Sequence, residues 1–140
     1  MVCIYCGKQT RITNSRPQKR QSATWRRHHC TACGAIFTSL ERVDYSSSLS
    51  FKDGESHIIP FDRDNLYLSL YESCRHRPSA IPDATALTDT VIAKLLARNQ
   101  TPAGLVTRNE LVAVVVTALQ RFDRVACTHY AAYHRALRAV

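Results

Sequence analysis

Six cysteines stand in this 140-residue chain, and four of them fall in two copies of one pattern. Cys3-Ile4-Tyr5-Cys6-Gly7 and Cys30-Thr31-Ala32-Cys33-Gly34 are Cys-x-x-Cys-Gly knuckles separated by 23 residues. Two residues between thiols let both sulfurs reach one ion ~2.3 Å away in tetrahedral geometry. The glycine after each pair allows the left-handed backbone that turns amides toward the sulfurs. Two such pairs at this separation have zinc-ribbon spacing, with Cys3, Cys6, Cys30 and Cys33 as ligands of one Zn²⁺. With sulfur in all four positions the site is closed, hence structural and not catalytic. Redox cysteine pairs and iron–sulfur centres use the same residue type, but duplication with a trailing glycine points to zinc. His28 and His29 adjoin Cys30 and could replace a cysteine; they are read here as part of a basic surface. Cys74 and Cys127 stand alone on helical apolar faces and are read as small core residues.

Between the knuckles lie Arg11, Asn14, Ser15, Arg16, Lys19, Arg20, Trp25, Arg26, Arg27, His28 and His29. Arginine gives bidentate hydrogen bonds to phosphate or guanine, lysine a point charge, and a partly exposed tryptophan can stack on a base. The chain is formally +8, but the excess is local. Residues 1–44 hold eight basic and two acidic side chains, a net +6; residues 45–140 hold eleven and nine, a net +2. Four thiolates around one Zn²⁺ add −2, leaving the first segment at about +4. Such asymmetry is the footprint of a polyanion-binding module. The residues expected to contact nucleic acid are Arg11, Arg16, Lys19, Arg20, Arg26, Arg27 and His28. Trp25 serves either as a contact or as core, and Phe37 is read as core.

These side chains need elements to carry them. Composition shifts at Tyr45-Ser46-Ser47-Ser48, a short linker by its serines. The expected division is a zinc ribbon over 1–44, a linker over 45–48, and a mainly helical module over 49–140. A segment of 44 residues seldom holds a core without a staple, whereas ~95 residues can. In the second part, Leu49 to Phe61 is a hairpin turning at Asp53-Gly54. Asp62 or Asp64 caps a first helix with Leu66, Leu70 and Cys74 on one face, stopped by Pro78. A second helix follows Pro82-Asp83 with Leu87, Val91 and Leu95 inward. Thr107-Arg108-Asn109-Glu110 is a capping box opening a third, with Leu111, Val115, Leu119 and Phe122 on its face. A fourth spans about Arg124 to Ala139 with Val125, Tyr130, Tyr133 and Leu137. The fold class is α+β: a small β ribbon, then a helical domain with a β-hairpin at its start.

Composition excludes several classes. At 45% apolar residues the chain is too apolar for disorder. No apolar run approaches the ~18 residues of a membrane span, Leu111 to Leu119 being the longest candidate. Met1-Val2-Cys3-Ile4 lacks the segments of a secretory signal, so a cytoplasmic protein with reduced thiols is expected. No Gly-rich Lys phosphate loop, nucleophile elbow or open metal site is in view, so no enzyme is expected.

The sequence resembles the NrdR-type bacterial repressors of ribonucleotide reductase genes, a zinc ribbon fused to an ATP-cone. The stretches that carry this are the first knuckle with Asn14-Ser15-Arg16, then Trp25-Arg26-Arg27-His28-His29-Cys30-Thr31-Ala32-Cys33 and Phe37-Thr38-Ser39-Leu40-Glu41. Lys52-Asp53-Gly54, Pro60-Phe61-Asp62, Arg77-Pro78, Phe122-Asp123-Arg124-Val125-Ala126 and Tyr130-Ala131-Ala132 follow in the family's order, covering nearly the whole chain. The resemblance implies a repressor whose ribbon binds double-stranded DNA boxes at promoters. It further implies that the cone senses ATP against dATP, and that occupancy sets the homo-oligomeric state and DNA affinity. Lys52 is the residue it carries over as facing nucleotide phosphate. Phe51, Ile59 and Asn65 stand where the family carries charge, and Cys127 and His129 replace a tyrosine and an arginine. An alternative is therefore a zinc-ribbon adaptor for nucleic acid or protein, with a cone kept for oligomerisation that no longer senses nucleotide.

Overall fold

The computed structural model describes residues 1–19, 22–54, 56–98 and 104–134. The chain divides into two compact units, Met1–Val43 and Asp44–Val140. The fold is α+β, as expected.

The first unit is an antiparallel sheet of order β1-β2-β3, with β1 Arg11–Gln18, β2 Ala23–His29 and β3 Ile36–Arg42. Its register pairs Arg16 with Trp25 and Trp25 with Leu40, and Arg27 with Asn14 and Thr38. A bulge between Ile12 and Asn14 leaves Thr13 as the extra residue of β1. Every residue of β1 is exposed. Among the described residues of this unit only Cys3, Ala23, His28 and Cys30 are buried, far too few to hold a sheet together by burial.

The second unit makes its own core. The serine stretch is one turn of 3-10 helix, Tyr45–Ser47, capped by Asp44, and Tyr45 packs against that core. Strands β4 (Leu49–Asp53) and β5 (His57–Pro60) pair as an antiparallel hairpin, with Gly54 after β4 at φ +72°. Four helices follow: α1 Arg63–Cys74, α2 Ala80–Arg98, α3 Arg108–Phe122 and α4 Arg124–Tyr133. A further strand, β6 (Gly104–Thr107), lies parallel to β4, so the hairpin is part of a three-stranded sheet of order β5-β4-β6. Nothing in the local sequence announces this strand; its partner is some fifty residues away, and Thr107 ends it by capping α3.

Leu70, Val91, Ile92, Leu95, Val106, Val115 and Leu119 are fully buried. Burying each such side chain contributes about 1.5–3 kcal/mol, a kind of core that the ribbon lacks. Cys74 lies in the same core, as its helical position implied, and burial pushes its thiol pKa up. Cys127, half-buried, packs against the core's edge.

Several details depart from expectation. Helix α2 starts at Ala80, taking Pro82 into its first turn, where a missing N–H costs little. Phe122, expected inward, is exposed and lies under the Arg77 guanidinium, 4.7 Å from its ring centroid. Val125 and Tyr133 are also exposed, since α4 turns only Ala126 and Tyr130 fully inward. Helix α4 ends at Tyr133 with His134 as its cap; Leu137 and the expected run to Ala139 lie outside the described residues. No described helix is long and apolar enough to cross a membrane.

Two landmarks of the family resemblance meet here. Arg77 donates from Nε to Asp83 (2.7 Å) and from a terminal nitrogen to Asp123 (2.8 Å). The other oxygen of Asp123 caps α4, accepting from the amides of Val125 (2.8 Å) and Ala126 (3.0 Å). One guanidinium thus ties the α1–α2 connection to the α3–α4 corner.

Candidate metal centre and nucleic-acid interface

The two knuckles fold alike. Gly7 and Gly34 sit at φ +70° and +73°. Their amides donate to the carbonyls of Cys3 (2.9 Å) and Cys30 (2.8 Å), closing matching turns. Those turns bring the sulfurs of Cys3, Cys6, Cys30 and Cys33 within 4.8 Å of one another. Cys3 Sγ is 3.6 Å from Cys33 Sγ, and Cys6 Sγ is 3.5 Å from Cys30 Sγ. Four sulfurs at ~2.3 Å from a tetrahedral ion stand about 3.8 Å apart, so this cluster has the size and donor set of a zinc site. Backbone amides favour thiolate at the two buried positions. Cys3 is lowered chiefly by the Tyr5 amide, and Cys30 is brought to about 7 chiefly by that of Cys33. As thiols, the exposed pair moves the other way. Cys6 has its thiolate favoured by the Lys8 amide, but the proton shared with Cys30 and loss of solvent push it to about 12.

Strand alternation sorts the basic side chains onto two faces. Trp25 and Arg27 of β2 share a face, and the register adds Arg11 and Arg16 from β1 and Leu40 and Arg42 from β3. Four arginines therefore share one face of the sheet with one tryptophan. Arg42 is absent from the residues expected to contact nucleic acid; its place in register beside Ala23 is what puts it here. Lys19 is exposed just after β1, and Arg20 lies outside the described residues.

Two expected contacts belong to the other face. Arg26 bonds Glu41 at 2.8 Å. His28, expected on the surface, is 2% exposed and stacks on Phe37 at 5.1 Å. The Thr10 hydroxyl donates to the Met1 carbonyl (2.7 Å), so it accepts from His28 Nδ1–H (3.1 Å). His28 Nε2 then accepts from the Ser39 hydroxyl (2.8 Å). With both nitrogens engaged, this histidine is the ribbon's small core, not a contact.

The second unit holds a cavity of about 290 Å³ between its sheet and α1, α3 and α4. Phe51, Ile59 and Asn65, the three uncharged residues at positions of family charge, all line it. Lys52 does not line it. Leu49 and Phe51 of β4 face the core, and the period of two turns Lys52 to the opposite side of the sheet. The expected phosphate contact is thus on the wrong face for this cavity. Arg108 is at its edge but bonds Asp53 at 3.1 Å.

Residues 1–41 match the family described as the N-terminal domain of NrdR-like transcriptional repressors, a zinc ribbon. With the thiol cluster, this makes the metal site a structural zinc. The chain is 32% identical to a transcriptional repressor NrdR of Rhodospirillum centenum over 100% of this chain and 89% of that protein. It is 32% identical to one of Symbiobacterium thermophilum over 96% of this chain and 87% of that protein. A repressor named NrdR 3 of Paramagnetospirillum magneticum is 34% identical over 99% and 88%. A zinc-ribbon match at one end and likeness along the whole length together place this chain in the NrdR family, whose members are transcriptional repressors and not enzymes.

Proposed function

We propose that this protein is a cytoplasmic, zinc-dependent DNA-binding repressor of ribonucleotide reductase genes, regulated by ATP and dATP at its helical unit through oligomeric state. The observation that carries the DNA part is the face of Arg11, Arg16, Arg27 and Arg42 around Trp25. Zinc held by Cys3, Cys6, Cys30 and Cys33 keeps the sheet in register, and the open face meets the phosphates of double-stranded promoter DNA. Four phosphate contacts give a slope of log affinity against log salt on the order of −3 to −4. Titrating zinc-loaded protein with duplex promoter DNA at several salt concentrations tests this; no binding at low salt overturns it.

The nucleotide part is linkage: a ligand that binds one assembly more tightly draws the population toward it. Light scattering with ATP or dATP added reads binding and assembly together. A second reading, an adaptor whose helical unit no longer senses nucleotide, is favoured by one observation. Phe51, Ile59 and Asn65 leave the cavity without free cations among the described residues. That reading expects no heat on titration with either nucleotide.

A further inference from the structure

We propose that the cavity of the helical unit recognises its ligand by the ring and sugar and is indifferent to phosphate number, so that adenosine binds as well as ATP. This rests on the reading that the cavity is the regulatory ligand site, and it specifies what that site can distinguish.

The walls make the argument. Phe51, Phe61, Leu66, Leu111 and Tyr130 supply apolar and aromatic surface, suited to burying a planar ring. At about 290 Å³ the cavity lies at the low end of the ~300–1,000 Å³ typical of small-molecule sites. Its charged groups are already engaged. Asp62 caps α1, one oxygen accepting from the amides of Asp64 (2.8 Å) and Asn65 (3.2 Å) and the other from Asn65 Nδ2 (2.8 Å). Arg108 is bonded to Asp53. His134 accepts or donates at 2.8 Å to Ser69 and stacks on Tyr130 at 4.4 Å, and burial holds its pKa down, keeping it neutral at pH 7.

A triphosphate brings several negative charges. Among the described lining residues it would meet one guanidinium that Asp53 already holds and one carboxylate that repels it. What is left over is neutral: Asn65 Oδ1 has no partner among the described residues and can accept from a ring amine or sugar hydroxyl, while the Tyr130 phenol, hydrogen-bonded to Ser69, stays protonated, its pKa pushed to about 12 by burial. Affinity then comes from ring burial, which is the same for nucleoside and nucleotide.

The test is a calorimetric series on the full-length zinc-loaded protein: adenosine, AMP, ADP and ATP, each at low and moderate salt. The expected result is affinities within about threefold across the series with little salt dependence. Two phosphate-clasping cations would instead separate ATP from adenosine by ~100-fold or more. Affinity that climbs in this way overturns the proposal while leaving nucleotide regulation standing. No heat from any of the four overturns both, and duplex-DNA titration then still judges the repressor reading on its own. Phe51→Lys and Asn65→Lys each put a cation into the cavity and are expected to tighten ATP at least ~10-fold relative to adenosine. Asn65 is exposed, so its variant folds even if the half-buried Phe51→Lys does not. Unchanged ratios in folded Asn65→Lys overturn the proposal.

Discussion

The two units hold themselves together by opposite means, and their charges follow from that. Among its described residues the ribbon buries four side chains and depends on its thiol cluster, so few of its polar groups are needed for structure. Its arginines around Trp25 stay available. The helical unit has a full apolar core and uses its charges internally: Asp62, Thr107 and Asp123 cap helices, Arg77 bridges Asp83 and Asp123, and Arg63 bonds Asp89 at 2.8 Å. A metal staple releases surface charge for a polyanion, whereas a helical scaffold consumes it at helix ends. That is why a chain with an overall positive charge presents it on one unit.

The largest break in this contrast comes from the metal. Replacing Cys30 by Ser, or chelating the ion, is expected to unfold the ribbon, because metal binding and folding are one equilibrium worth ~10 kcal/mol or more in such modules. Trp25 is the only tryptophan, so its fluorescence reports the ribbon. The expected outcome is loss of bound zinc, a red-shifted Trp25 emission and loss of DNA binding, with the helical signal in circular dichroism retained. Retained Trp25 emission after zinc loss would mean that the sheet holds itself.

The reciprocal break is smaller and acts on the helical unit. Asp123 has its carboxyl held below the usual range, first by the Ala126 amide, then by Arg77 and His76. Asp83 is lowered first by Ser79, then by Arg77. A depressed carboxyl contributes stability that is complete above its unfolded value of ~3.9 and is lost as pH falls through the folded value. Thermal unfolding followed by helical signal should therefore be flat in this respect from neutrality down to about pH 4, then fall. Asp123→Ala removes the cap and the Arg77 partner together and should lower Tm by roughly 4–8 °C at pH 7. Asp123→Asn keeps the cap, so its drop is smaller, and its acid limb is shallower. Trp25 emission should not move in either variant.

The legible parts of this molecule were those set by local spacing. Cys-x-x-Cys-Gly twice over prescribes a tetrahedral site, because two residues and a left-handed glycine leave the sulfurs little else to do. Thr107 at a capping box and Leu66, Leu70 and Cys74 at helical spacing were likewise readable, since the cap and the face lie within a turn or two. What stayed hidden depends on distant pairing. Strand β6 takes its meaning from β4, where Val106 pairs with Phe51 and joins the core. Alternation says that Phe51 and Lys52 face opposite ways, and that His28 and His29 do. Which of each pair faces inward is decided by the layer packed against the strand. For that one reason His28 is buried and not on the surface, and Lys52 does not line the cavity.

The smallest effect sharpens the comparison most, because it opposes two adjacent arginines of the same strand. Arg27 shares the face of Trp25, while Arg26 points the other way and bonds Glu41. If the free face is what meets DNA, Arg27→Ala should weaken duplex binding several-fold and reduce the salt slope by about 1, the signature of one lost phosphate contact. Arg26→Ala should leave the slope unchanged, and it removes only an exposed ion pair of ~0–1 kcal/mol from the ribbon's stability. The two variants have the same charge, so net electrostatics cannot separate them; only the face can. Equal loss from both would mean that the ribbon attracts DNA by its total charge and that the register of the sheet plays no part.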